Sequence, residues 1–116
     1  MNIEGVSDAR LASLDRQRHA LAAKVCFAYE SSFWEDQGQN GDAYFETAVI
    51  GGTWVQREGI ISALVPPERL AAFLTTSPAQ LEAEMVEEKT AAFGDRARSP
   101  LAVFFRRWGV DPWTRG

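Results

Sequence analysis

The segment that most limits what this chain can become is Ile60-Ile61-Ser62-Ala63-Leu64-Val65, a continuous apolar run of strand length cut off by Pro66-Pro67. Proline cannot donate to a sheet ladder, so the run ends there. A stretch of this kind is expected where a strand is buried on both faces, in the middle of a sheet. Its neighbours can be read on either side. From Lys24 the pattern has period two: Val25, Phe27 and Tyr29 point one way, and Lys24, Cys26, Ala28 and Glu30 point the other. Phe33 and Trp34 follow, and then Glu35 to Asp42, whose polar content and Asn40-Gly41 step read as a loop. A second strand is expected to begin near Ala43, since Tyr44 to Ile50 is rich in aromatic and β-branched residues. Gly51-Gly52 supplies a turn or bulge before the short strand Thr53-Trp54-Val55-Gln56, and Arg57-Glu58-Gly59 turns the chain into the central run. Leu101 to Phe105 reads as a last strand, and the tail from Gly109 to Gly116 as irregular.

Helices are expected around these strands. Ser7 is a candidate N-cap for a surface helix from Asp8 to about Ala20, with Leu11, Leu14 and Leu21 on one side. Pro67 suits the first turn of a short helix ending near Thr76, with Leu70, Phe73 and Leu74 as its buried stripe. The clearest local signal is Ser77-Pro78-Ala79-Gln80, a capping box with proline at the first helical position and an acidic first turn. It predicts a helix over residues 78–93, with Leu81, Met85, Val86, Ala92 and Phe93 along its apolar side. The opposite face is Glu-rich and solvated, and Gly94 is placed to end the helix in the left-handed conformation. The fold class is therefore α+β, one domain with a mixed or antiparallel sheet of four to five strands packed by two or three helices.

Size and charge narrow the function. The chain has 116 residues, enough for one domain with a core and too few for two ordinary ones. With 12 basic and 16 acidic side chains it carries no basic excess to meet a phosphate backbone or an anionic membrane surface. No apolar run approaches the ~18 residues needed to cross a bilayer. The single cysteine, Cys26, forms no internal disulfide, and the first twenty residues are too polar for a secretory signal, so a cytoplasmic protein is expected.

There is no G-x-G-x-x-G, no phosphate-cradling P-loop and no cluster of cysteine and histidine ligands, so neither a self-contained cofactor site nor a metal site is expected. His19 lies in the charged first helix and reads as a surface residue. Cys26 reads as a small buried side chain with no base nearby. Lys24 is the unusual polar residue, because it opens an apolar strand between Ala23 and Val25, where a cation is costly to bury. From pattern alone it is a strand-end lysine that reaches to water along its own stem. Trp34, Trp54, Trp108 and Trp113 read individually as core or interface anchors.

The stretch Lys24-Val25-Cys26-Phe27-Ala28-Tyr29-Glu30, followed by Phe33-Trp34, resembles the lysine-bearing strand and aromatic segment of flavin-dependent amine oxidases of the monoamine oxidase type. The likeness continues through the helix pair from Pro67 to Phe93, then through Trp108 into Asp111-Pro112-Trp113-Thr114-Arg115-Gly116. Each motif is weak alone, and their shared order makes the combination specific. The resemblance implies oxidation of a small amine, with a hydride equivalent moved to FAD. It implies that Lys24 holds a water against the reactive nitrogen of the flavin ring and that Trp108 packs near the flavin. It further implies that Trp113 and Gly116 belong to the approach to the substrate cavity.

It covers only the substrate-domain half of that family. The glycine-rich fingerprint and the C-terminal flavin-binding segment have no counterpart, the connection between the second and third strands is shorter, and the chain stops just before aromatic residues that usually line the amine site. The chain alone is accordingly expected not to hold FAD, since nothing in it matches a pyrophosphate-binding turn. Two readings follow: a substrate-domain segment completed by a missing FAD-binding domain, or a truncated stand-alone derivative that is non-catalytic and forms a homodimer through its uncovered aromatic surface.

Overall fold

The computed structural model describes residues 4–17, 22–46, 48–108 and 111–113. Its centre is a five-stranded antiparallel sheet in the order β2-β3-β4-β1-β5, formed by β1 (Ala23–Ala28), β2 (Ala43–Tyr44), β3 (Gly52–Arg57), β4 (Ile60–Val65) and β5 (Ala102–Phe105). The apolar run 60–65 is the central strand, as its composition requires. β1 pairs with it in a register that sets Val25 against Ala63 and Phe27 against Ile61. Those residues face the core together with Val65 and Thr53, and all of them are buried. The central run is not covered on both faces throughout, since Leu64 on the other face is exposed.

The second layer is α4 (Pro78–Phe93), with α3 (Leu70–Thr75) and the 3-10 turn Pro67–Arg69 ahead of it. Ser77 caps α4 by accepting from the Gln80 amide. The reciprocal half of the capping box is not formed, because Gln80 donates its side-chain amide to Glu84 one turn along. The first turn of α4 also carries no acidic residue, contrary to the sequence reading. Leu81, Met85 and Phe93 are buried as expected, each burial contributing about 1.5–3 kcal/mol. Gly94 leaves the helix at φ 85°, a conformation that favours glycine. On α3, Leu70 and Phe73 are buried, and Phe73 meets Phe105 of β5 edge-on at 5.6 Å.

Three expectations about elements need correction. α1 (Asp8–Arg16), capped by Ser7, is a surface helix with no buried residue, but it ends at Arg16, and Gln17 is already extended. Ala20, Leu21 and His19, which were assigned to it, lie outside the described residues. A one-turn helix, α2 (Phe33–Asp36), takes in Phe33 and Trp34 and the first two residues of the segment read as a loop, and the described residues hold four α-helices. Phe33 and Trp34 are buried there in an edge-on cluster with Tyr29. The polar residues that follow close the end of α4: Gln37 donates to the Phe93 carbonyl and Gln39 to that of Ala92, satisfying acceptors the helix leaves open. Finally, β2 has only two residues, and the β-prone stretch after Tyr44 does not join the ladder. Its backbone is used otherwise. Val49 and Ile50 donate to the two carboxylate oxygens of Glu88 on α4, at 2.8 and 3.2 Å. Arg69 donates to the Glu46 and Ile50 carbonyls.

Candidate active site on the open face of the sheet

The face of the sheet turned away from α4 carries the sequence-flagged lysine. Strand alternation puts Lys24 and Cys26 of β1, Ser62 and Leu64 of β4, and Trp54 of β3 on this side, since Lys24 pairs with Leu64, Cys26 with Ser62, and Ser62 with Trp54. Phe104 of β5 joins them opposite Cys26. A β-bulge in β3 then sets the geometry: pairing passes from Val55 against Ile61 to Arg57 against Ile60, leaving Gln56 without a cross-strand partner of its own.

Gln56 uses that freedom on the same face. Its side-chain carbonyl accepts from Lys24 Nζ at 2.9 Å and from Ser62 Oγ at 3.2 Å. Ser62 Oγ lies 3.3 Å from Cys26 Sγ, so a continuous polar line runs Lys24, Gln56, Ser62, Cys26 across three strands. The indole of Trp54 lies beneath the ammonium, 5.5 Å from Nζ to ring centroid. Ser62 is fully buried under this cover, whereas Lys24 itself is exposed. An ammonium has three donors, and one of Lys24's is given to Gln56. The arrangement is a cation held in place at its base and free to donate outward from an apolar surface.

The ends of other elements gather near it. Phe105 pairs with Val25 and Val65 with Ala23, so the chain leaves both β5 and β4 at the Lys24 end of the sheet. Arg107, just past β5, donates to the Leu74 and Thr76 carbonyls and so ties that exit to the end of α3. Trp108 follows, partly exposed, with the Arg106 guanidinium 5.1 Å from its ring centroid. The Gly51 amide donates to the Leu64 carbonyl, which brings the backbone gripped by Glu88 and Arg69 to the same end. Burial pushes the Glu88 carboxyl above its ordinary value, opposed by the two amides that bind it.

The sequence model described as flavin containing amine oxidoreductase matches residues 5–116. The chain belongs to that family. Among solved structures, wild-type putrescine oxidase bound to putrescine superposes with a TM-score of 0.82 at 23% identity, over 95% of this chain and 26% of that one. Cyclohexylamine oxidase from Brevibacterium oxydans IH-35A gives 0.72 at 21% identity, over 82% and 22%. Identities this low establish a shared fold. The chain spans about a quarter of the length of those amine oxidases. No curated protein matches it in sequence.

Against this family frame the sequence-flagged residues separate. Lys24 lies on the open face, near one end of the sheet. Trp113 is 92% exposed, its amide bonded to the Asp111 carboxylate in a local turn. Gly116 lies outside the described residues. Cys26, read as a small buried side chain, is only partly buried and belongs to the polar line. Gln56 and Ser62 were missed altogether, and Trp54 was read only as an anchor. Period-two alternation places Trp54 and Gln56, Ser62 and Leu64, and Lys24 and Cys26 in like-facing pairs, but only the register between strands shows that the pairs share one face. A cavity of about 180 Å³ lined by Tyr29, Glu30, Phe33 and Arg96 lies past the other end of β1, away from this chemistry. Among the described residues no three histidine, cysteine or acidic side chains cluster as metal ligands, and no helix is long and apolar enough to cross a membrane.

Proposed function

We propose that the chain is the substrate-domain segment of an FAD-dependent amine oxidase acting on a small amine, with Lys24 presented to the flavin and with no activity in the absence of a cofactor domain. The observation that carries this reading is the Lys24 ammonium on the open face, braced by Gln56 and Trp54 with donors left over. The residues present fit one part of the cofactor. Trp54, Leu64 and Phe104 would offer a flat ring an apolar surface, and Lys24 would offer it the donors left over from Gln56. They do not fit its pyrophosphate, for which the sequence has no glycine-rich turn.

When bound, the flavin supplies hydride acceptance and its return to oxygen. The task of Lys24 is to hold a proton-bearing, positive group at the ring edge, where negative charge develops as oxygen is reduced. Gln56 keeps the side chain aimed, Trp108 would pack against the ring, and the family resemblance assigns Trp113 and Gly116 to the approach to the substrate cavity. Residues 1–116 form one domain that docks through the open face onto the missing FAD-binding domain, in a cytoplasmic protein.

In the complete enzyme Lys24→Met is expected to slow reoxidation of reduced flavin by oxygen by about 10²–10³-fold. Anaerobic reduction by amine, followed by stopped-flow absorbance, should change far less. Unchanged reoxidation removes the role given to Lys24. A stoichiometric flavin spectrum on the purified 116-residue chain would show that a separate FAD-binding domain is not needed.

A second reading is favoured by the exposure of Tyr44 (81%) and Phe104 (61%): a stand-alone, non-catalytic module whose open face is covered by a second copy. Light scattering at high concentration distinguishes the two, a homodimer supporting the module and a monomer the segment.

A further inference from the structure

Lys89 is the side chain that the proposed function leaves without a task. It projects from α4 into the core and is fully buried, and its ammonium nitrogen has no hydrogen-bond partner. Three rings surround it, with centroids at 4.5 Å (Phe93), 4.9 Å (Phe27) and 5.5 Å (Tyr29). Ring faces attract a cation but accept none of the hydrogen bonds that three N–H groups give to water.

Charged groups on the surrounding elements are engaged elsewhere. Glu88 holds the Val49 and Ile50 amides, Glu87 and Asp95 hold Arg98, and Asp36 holds Arg96. The Tyr29 hydroxyl donates to the Ala97 carbonyl, and burial pushes its pKa above the ordinary range, so it remains a neutral phenol. Among the described residues no counter-charge reaches the Lys89 amine.

We propose that Lys89 is a protonation-sensitive fastener: uncharged, it packs among Phe27, Tyr29 and Phe93 and holds α4 on the sheet, and protonated, it leaves for water and loosens the last turns of the helix. The exit is short, because Lys89 lies one turn before the helix ends at Phe93. Loosening that turn also releases the caps from Gln37 and Gln39. The inference is independent of the role given to Lys24.

Burial lowers the Lys89 pKa from the ordinary 10.5 to about 7, whereas the unfolded chain keeps its proton up to the ordinary value. Between those two values the unfolded state binds more protons, so stability rises with pH. Below about 7 the cost of charging the buried amine is present in full.

The test uses the 116-residue chain, comparing urea unfolding of the wild type and Lys89→Met from pH 6 to 9. The wild-type folding constant is expected to rise by up to about tenfold per pH unit above 7, and Lys89→Met to lack that slope. On acidification, amide exchange should quicken first at residues 90–93, ahead of β1 and β4. Equal slopes in the two proteins, or simultaneous loss of protection in helix and sheet, would overturn the proposal. Should Lys89→Met not fold, NMR titration of the wild-type Lys89 side-chain carbon decides: a midpoint near 7 supports the fastener, and one at the ordinary lysine value removes it.

Discussion

On one side of the sheet Lys24 keeps its ammonium at the surface, braced by a glutamine and an indole. On the other side Lys89 is fully enclosed by aromatic rings with no hydrogen bond at all. The same side chain thus meets two solvents within one small domain. The inner side is organised by packing, where neighbours are fixed by volume and a charge is tolerated only by giving up its proton. The outer side is organised by a few polar contacts on an apolar ground, which aim a group without enclosing it. A surface of that second kind contributes little to holding the fold together and is free to be specialised for contact with something else.

Substitutions on the two sides of the sheet put this contrast to the test. The largest effect is expected at Phe27, fully buried on the inner side: Phe27→Ala should cost about 3–5 kcal/mol in urea unfolding. A loss below 1 kcal/mol would mean that the inner layer is loosely packed. Next is Glu88→Ala, which leaves the Val49 and Ile50 amides without their acceptor and should cost about 1–3 kcal/mol. Faster amide exchange confined to those two residues would identify the cause, and protection equal to wild type would show that water replaces the carboxylate at no loss. Smallest is Phe104→Ser on the outer side, expected within about 0.5 kcal/mol of wild type because the ring is already exposed. A cost as large as that of Phe27→Ala would show the outer side to be covered in solution, by a second copy or otherwise, and the contrast would fail.

The parts legible in the sequence are those set by local periodicity. Residues 60–65 announced the central strand, the alternation from Lys24 gave both faces of β1, and Ser77-Pro78 with Gly94 bracketed α4 to the residue. Lys89 was hidden by its charge rather than its place. Leu81, Met85, Lys89 and Phe93 recur every fourth residue and all are buried, but a lysine among glutamates reads as solvated. The stretch after Tyr44 misled for the opposite reason. Its residues favour strands, yet its backbone bonds to Glu88 and Arg69, which lie far along the chain. Gln56 and Ser62 were out of reach for a third reason: what makes them neighbours of Lys24 is a register and a bulge, and neither leaves a mark on the chain itself.

The bulge in β3 has an evolutionary meaning as well. Gln56 faces Lys24 from a position with no opposite residue of its own, so exchanging it asks nothing of the pairs formed by Val55 and Arg57 on either side. A lineage can therefore change the group that tunes the exposed lysine, or delete it, while the core and the strand order stay as they are. The sheet supplies a constant chassis, and at this one residue the surroundings of Lys24 can vary without disturbing the register of the strands.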